Sequence, residues 1–249
     1  MELLFIFIFG AAIGSFLNVL IVRIPRDESV SFPASHCMSC NTPLRIWHNI
    51  PILSWLFLRG KCAFCGEKIS VQYPLIELLS GLIFLFSAMK FGLTFQAAGI
   101  AVTFALLLAL SAIDYRYKMV PDSLNLGALT VAVFSVYSFE QFGYNDTNAL
   151  LFPGGFSLLR FYNSYIIKKE AMGEADIMIA ATIGALLGVK LGFAAIFLGA
   201  VLALPALLLT RDEREESKEL PFIPFLALGC WFVLMFDSYV NNFMVGIYG

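Results

Sequence analysis

Long uninterrupted apolar runs constrain this chain before any other feature does. A helix needs roughly 20 mostly apolar residues to cross the hydrocarbon core of a bilayer. Eight stretches approach that length: Leu3–Val22, Tyr73–Met89, Leu93–Ile113, Val120–Phe139, Ala149–Ile167, Ala175–Val189, Leu191–Leu209 and Leu220–Phe236. Hydrophobic residues make up 59% of the chain, against about 45–50% in soluble domains, so these runs exceed what core helices require. The pattern predicts an all-α, polytopic integral membrane protein with about eight transmembrane helices. The net charge of −2 offers no basic footprint for nucleic acid. The first run reads as a retained span, because Glu2 stands where a signal peptide carries basic residues. Two runs are weaker: the fifth contains Pro153-Gly154-Gly155 and Arg160, and the sixth is short.

Charge placement orients the spans. With eight of them and the N-terminus outside, 14 Lys and Arg residues face the cytoplasm and only Lys90 and Lys190 face away. That is the asymmetry of the positive-inside rule. Removing the fifth span reduces the split to 9 against 7, which argues for keeping it. Three regions follow: a first transmembrane helix (1–22), a cytoplasmic loop domain (23–70) and a membrane core (71–249). The run Arg211–Glu219 reads as a solvated loop, and no sequence repeat is evident.

The loop domain is too small to bury much core, and modules of that size rely on a metal, disulfides or a partner. It holds Cys37-Met38-Ser39-Cys40 and Cys62-Ala63-Phe64-Cys65, two CxxC pairs 21 residues apart. A two-residue gap lets both thiolates of a pair face one tetrahedral ion, so the four read as a zinc-knuckle site, with redox or iron–sulfur use as the alternative. The expected cytoplasmic location favours metal over disulfides. A closed four-thiolate site leaves no position for water, so this zinc is structural. His36 and His48 read as turn or surface residues, and Cys230 as a small buried apolar one.

Two aspartates stand out by position. Asp114 ends the third run and Asp176 opens the sixth, both at the expected cytoplasmic boundary. Ionisable groups at the edge of apolar spans default to a functional hypothesis. Brought together, two carboxylates share one proton; the charged member then activates water while the neutral one polarises a peptide carbonyl. Position alone leaves open that Asp176 caps a helix and that Asp114 faces solvent beside Arg116. Asp122 reads as an N-cap, Glu174 as loop surface with a role at the site possible, and Glu77 as a span residue that pairs with a nearby cation or binds substrate.

Several motifs together resemble one family, the bacterial type IV prepilin peptidases. Gly14-Ser15-Phe16-Leu17-Asn18 through Arg23-Ile24-Pro25 is similar to the family's first-span ending. Ser35 through Cys65, with His48-Asn49-Ile50-Pro51 inside it, resembles its cysteine loop, and Tyr73-Pro74-Leu75-Ile76-Glu77 the entry to its second span. Asp114 with Val120-Pro121-Asp122 resembles the first catalytic aspartate and its sequel. Asp176 falls at the second, in a GxGD motif that here reads Gly173-Glu174-Ala175-Asp176; Met178 stands where many members carry a lysine.

The resemblance implies a membrane aspartic endopeptidase of the bacterial inner membrane, its active site facing the cytoplasm, with Asp114 and Asp176 catalytic. Its partners would be prepilin or pseudopilin precursors, cut after a glycine that closes a basic leader. It also implies N-methylation of the new terminus with S-adenosylmethionine, an activity that the cysteine loop accompanies in the family. Two rival classes are a proton- or ion-coupled transporter, which would place carboxylates near the bilayer midplane, and a membrane scaffold whose knuckle docks a partner.

Overall fold

A computed structural model of the chain describes residues 1–135, 139–167, 173–210 and 221–248. The helices are α1 (Glu2–Arg23), α2 (Leu53–Phe57), α3 (Gln72–Phe91), α4 (Phe95–Tyr117), α5 (Asp122–Phe134), α6 (Phe139–Ile167), α7 (Glu174–Thr210), α8 (Ile223–Met235) and α9 (Asp237–Tyr248). Among the described residues extended pairing is limited to two isolated bridges, so the fold is all-helical. It comprises two compact units, Met1–Ala101 and Val102–Gly249, with the division inside α4. The run Arg211–Glu219 lies outside the described residues.

Each of the eight apolar runs coincides with helix over most of its described length. Among the described residues, four helical stretches are long and apolar enough to cross a membrane: Glu2–Arg26, Gln72–Phe91, Phe95–Tyr117 and Glu174–Leu208. A fifth is added if Ile223–Met235 and Asp237–Gly246, bent by 86°, count as one span. Outward-facing Phe5, Phe9 and Phe16 on α1, Leu150 and Leu158 on α6, and Phe197 and Leu208 on α7 are each more than half exposed. Apolar surface of that extent suits lipid as the solvent. The chain is a multi-pass membrane protein.

The departures from sequence have local causes. Helix α7 covers the sixth and seventh runs and is broken at their junction, at Gly188, where φ is 70 and ψ −178, beside Val189, where the sixth run ends. A straight helix of its 37 residues would run about 55 Å, nearly twice the roughly 30 Å hydrocarbon core; the break releases it. The hydroxyl of Tyr144 occupies the space a Cβ at Gly188 would need. Helix α9 lies beyond the last run because Asp237, Ser238, Asn241 and Asn242 dilute its apolar content. Asp122 is not an N-cap: Pro121 holds that position, no side chain caps the helix, and Asp122 is the first residue of α5. Proline's fixed φ suits the entry, and the acid in the first turn favours the positive end of the helix dipole.

Close helix approach organises both units. In the first, Gly10 and Gly14 form a G-x-x-x-G stripe on α1 against α3. A Cβ at Gly14 would come within 2.7 Å of the Glu77 Cα, and the Ser80 hydroxyl donates to the Gly10 carbonyl at 2.7 Å. In the second, Gly229 on α8 faces the backbone of Ala195 and Gly199 on α7, and Gly184 and Gly192 on α7 receive the ring of Phe152.

Candidate functional site

The four cysteines of the first unit converge. Their sulfurs all lie within 4.8 Å of one another, and Cys37 Sγ is 3.8 Å from Cys65 Sγ. A tetrahedron with metal–thiolate bonds of about 2.3 Å has edges of about 3.8 Å, so the donor set fits a metal ion. The two arms repeat each other, bond for bond. Leu44 N donates to Ser35 O, Cys37 N to Thr42 O and Asn41 N to Cys37 O; Ile69 N donates to Gly60 O, Cys62 N to Glu67 O and Gly66 N to Cys62 O. Asn41 and Gly66 occupy equivalent turns at φ 54 and 74, positions that Gly and Asn adopt most readily. The repeat escapes the sequence because only the cysteine spacing survives in it.

The thiols differ in acidity. Hydrogen bonds from the Thr42 hydroxyl and then its amide lower Cys40 to about 6. At Cys65 the Glu67 amide favours the thiolate, but burial and the sulfurs of Cys62, Cys40 and Cys37 outweigh it and push that thiol up to about 12. Four crowded sulfurs cannot all ionise unaided; a divalent cation supplies the missing charge. Neither His36 nor His48 belongs to the cluster. His36 Nδ1 is paired with the Ala34 carbonyl at 3.0 Å, and His48 stacks edgewise on Trp47 and Phe64.

The second unit holds both aspartates. Asp114, 8% exposed, lies near the C-terminal end of α4. Its Oδ2 accepts the N–H of Ile223, the first residue of α8, at 3.1 Å, and the Phe222 amide also faces it. Asp176 is the third residue of α7, and the Gly173 amide faces its carboxylate, which is the returning arm of a capping box. The fully buried Asn125 of α5 donates from Nδ2 to the Ala175 carbonyl at 3.2 Å. These bonds gather the end of α4 and the starts of α5, α7 and α8. There the Asp114 and Asp176 charges interact.

The comparisons divide along the same line. A model of the bacterial peptidase A24 N-terminal domain matches residues 8–91, and one of the type IV leader peptidase family matches residues 101–208. A protein of Stutzerimonas stutzeri named prepilin leader peptidase/N-methyltransferase is 33% identical over 94% of this chain and 90% of its own length. The chain belongs to the type IV leader peptidase family. A Xanthomonas campestris protein of the same name is 35% identical, covering 92% of this chain and 89% of the relative. One from Myxococcus xanthus is 36% identical over 74% of this chain, an alignment that spans 55% of that relative. No solved structure matches the chain significantly.

Seen within the leader peptidase family, the remaining residues fall into place. Ala175 sits in helix with no positive φ, so the alanine of the GxGD-like motif is accommodated without backbone strain. Glu174 opens α7 and pairs with Arg160 at 3.0 Å, so the charge that weakens the fifth run as a span has a partner. Glu77 accepts the Ile52 N–H at 2.7 Å instead of a cation. Cys230 is fully buried in α8. Sequence reasoning overlooked two groups. Asn125 sits three residues after an aspartate that drew more notice, and Arg23 counted as a positive charge and a motif residue but not as a hydrogen-bond donor. The Arg23 guanidinium, nearly buried, donates to the Ser29 and Pro33 carbonyls at 2.9 and 2.7 Å and so shapes the loop.

Proposed function

We propose that this protein is a membrane aspartic endopeptidase that removes the leader of type IV prepilin or pseudopilin precursors after glycine, then N-methylates the new terminus. In this reading Asp114 and Asp176 are catalytic. One carboxylate takes a proton from water, whose oxygen bonds to the peptide carbon while the other, protonated, donates to the carbonyl oxygen; the adduct then collapses, the C–N bond breaks, and the amine leaves with the proton the first carboxylate took. The Ile223 and Gly173 amides orient the two carboxylates on separate helix ends. The observation that carries the reading is this pair of interacting acids in a chain of the leader peptidase family.

The finer assignments form one scheme. Eight spans place both acids at the cytoplasmic edge of the bacterial inner membrane, with the regions 1–22, 23–70 and 71–249 as first helix, cytoplasmic domain and peptidase core. Cys37, Cys40, Cys62 and Cys65 hold a structural zinc ion, which contributes folding energy to the module. S-adenosylmethionine supplies the methyl group. Carboxylates at helix ends favour this scheme over a transporter's midplane relay.

The test uses the protein in membranes with a prepilin precursor. Asp114→Asn and Asp176→Asn each leave the protein inserted and cut leader removal by about 10²–10⁴-fold, read by the mobility of the processed product. Normal processing by both variants would rule the pair out.

A further inference from the structure

Glu77 is a buried acid with no part in the peptidase scheme. It lies on α3, 7% exposed, at the wall of a cavity of about 250 Å³ that Ser15, Asn18 and Arg23 of α1 also border. Its Oε2 accepts the Ile52 N–H at 2.7 Å, and the Ser15 side chain hydrogen-bonds the carboxylate. Ile52 is held at φ 63, a left-handed conformation that a β-branched residue adopts only under constraint. Strain of this kind concentrates where structure serves binding or chemistry.

Asn18 adds a second, independent signal. It is 2% exposed, and its Nδ2 donates to the carbonyls of Gly14 at 3.3 Å and Tyr73 at 3.1 Å. Both partners are acceptors, so the amide orientation is fixed. That leaves Oδ1 buried with no hydrogen-bond partner, a costly state that a donor would relieve. The α1–α3 wall of the cavity therefore carries the Glu77 carboxylate and, closed over behind it, an amide oxygen without a donor, and both call for N–H donors. Arg23 does not supply them; its guanidinium is committed to Ser29 and Pro33. The volume falls below the roughly 300–1,000 Å³ that drug-sized ligands fill. It suits a single chain end better than a whole nucleoside cofactor.

We propose that this cavity receives the new α-ammonium of the cleaved substrate, and that Glu77 binds it and takes its proton for methyl transfer. The inference rests on the methylating half of the proposed function. The ammonium gives one N–H proton to the Glu77 carboxylate. The freed nitrogen pair then forms a bond to the methyl carbon of a sulfonium donor; the carbon–sulfur bond breaks, its electron pair stays on sulfur, and a thioether leaves. The donor docks at the open side of the cavity, outside the volume that the amine fills.

The experiment uses the full-length protein in membranes with S-adenosylmethionine and two substrates, an intact prepilin precursor and a pre-cleaved peptide with a free amine. Mass spectrometry reads cleavage and methyl gain separately. Glu77→Gln keeps an acceptor for the Ile52 amide; it should cleave the precursor at the unaltered protein's rate while methylation falls about 10²–10⁴-fold. Ser15→Ala, which keeps the Glu77 charge, should raise KM for the free-amine peptide more than it lowers kcat. Methylation by Glu77→Gln at the unaltered rate, or an unchanged KM in Ser15→Ala, overturns the assignment and leaves the enzyme's methylation standing. An unaltered protein that cleaves but adds no methyl group overturns the methylating reading itself.

Discussion

The four cysteines come from two arms that each close on themselves within ten residues, whereas Asp114 and Asp176 are brought together only because four helix ends are. The first arrangement is local: each knuckle satisfies its own backbone, and the proposed ion would join the halves. The second is non-local: Asp114 is anchored by α8, Asp176 by the turn before α7, and Asn125 of α5 steadies the peptide beside it. A local device stands or falls with its ligand. A non-local one stands or falls with packing.

Metal removal tests the local side and carries the largest expected effect. Structural zinc sites contribute about 10–16 kcal/mol to the folding of small modules. Stripping the ion, or replacing Cys62 with Ser, should therefore expose residues 35–69 to proteolysis while the helices of the second unit stay protected. The pH dependence has a definite sign. Cys40, lowered to about 6, is already thiolate at neutral pH, whereas Cys65, raised to about 12, still holds its proton. Metal binding at pH 7 must displace that proton, so affinity rises with pH and protons are released on loading. Calorimetry in two buffers of different ionisation enthalpy measures the release; a value of zero would contradict the four-thiolate site.

The carboxylate pair is sharpened by a double variant. If the two acids act as a unit, Asp114→Asn with Asp176→Asn loses no more activity than either single change, since groups that act together are grossly non-additive. Losses that multiply would mean separate roles. Packing is the next, smaller lever. A Cβ at Gly229 would lie 2.5 Å from the Ala195 carbonyl and 2.8 Å from the Gly199 nitrogen, both backbone atoms that cannot rotate away. Gly229→Ala should then cost about 1–3 kcal/mol as overpacking does, and lower leader removal together with thermal stability. Gly14→Ala, pressed on the Glu77 Cα, should cost about as much yet spare leader removal. Equal losses of cleavage in both would erase the distinction between the two regions.

What could be read in advance follows the same division. The knuckles were legible because cysteine spacing is itself the geometry, and the aspartates because a charge at the edge of an apolar run is conspicuous. The break at Gly188 falls beside Val189, where the sixth run ends, so the division of that apolar stretch was legible although its backbone geometry was not. Asn125 was silent, and Asn18 was visible only as a letter of the first-span motif. Their importance lies in which carbonyl each amide meets, Ala175 in one case and Tyr73 in the other, and no local pattern encodes a partner on another helix. Helix α9 was hidden by its own asparagines, one of which accepts from Lys190 at 3.1 Å.

The smallest expected effect is at the mouth of the non-local site. Arg160 reaches Glu174 at 3.0 Å, but the glutamate side chain is 84% exposed, and exposed ion pairs are worth about 0.2–1 kcal/mol. Arg160→Ala should therefore barely move stability, and the little it does move should fade with added salt. Glu174 and Asp176 share the first turn of α7, so the same change also removes a positive charge from the neighbourhood of the carboxylates. If the site depends on Asp176 being held by the Gly173 amide, kcat for leader removal stays within a small factor and does not vary with ionic strength. A large, salt-sensitive fall in kcat would instead make Arg160 part of the machinery and the site less dependent on helix ends than its backbone bonds suggest.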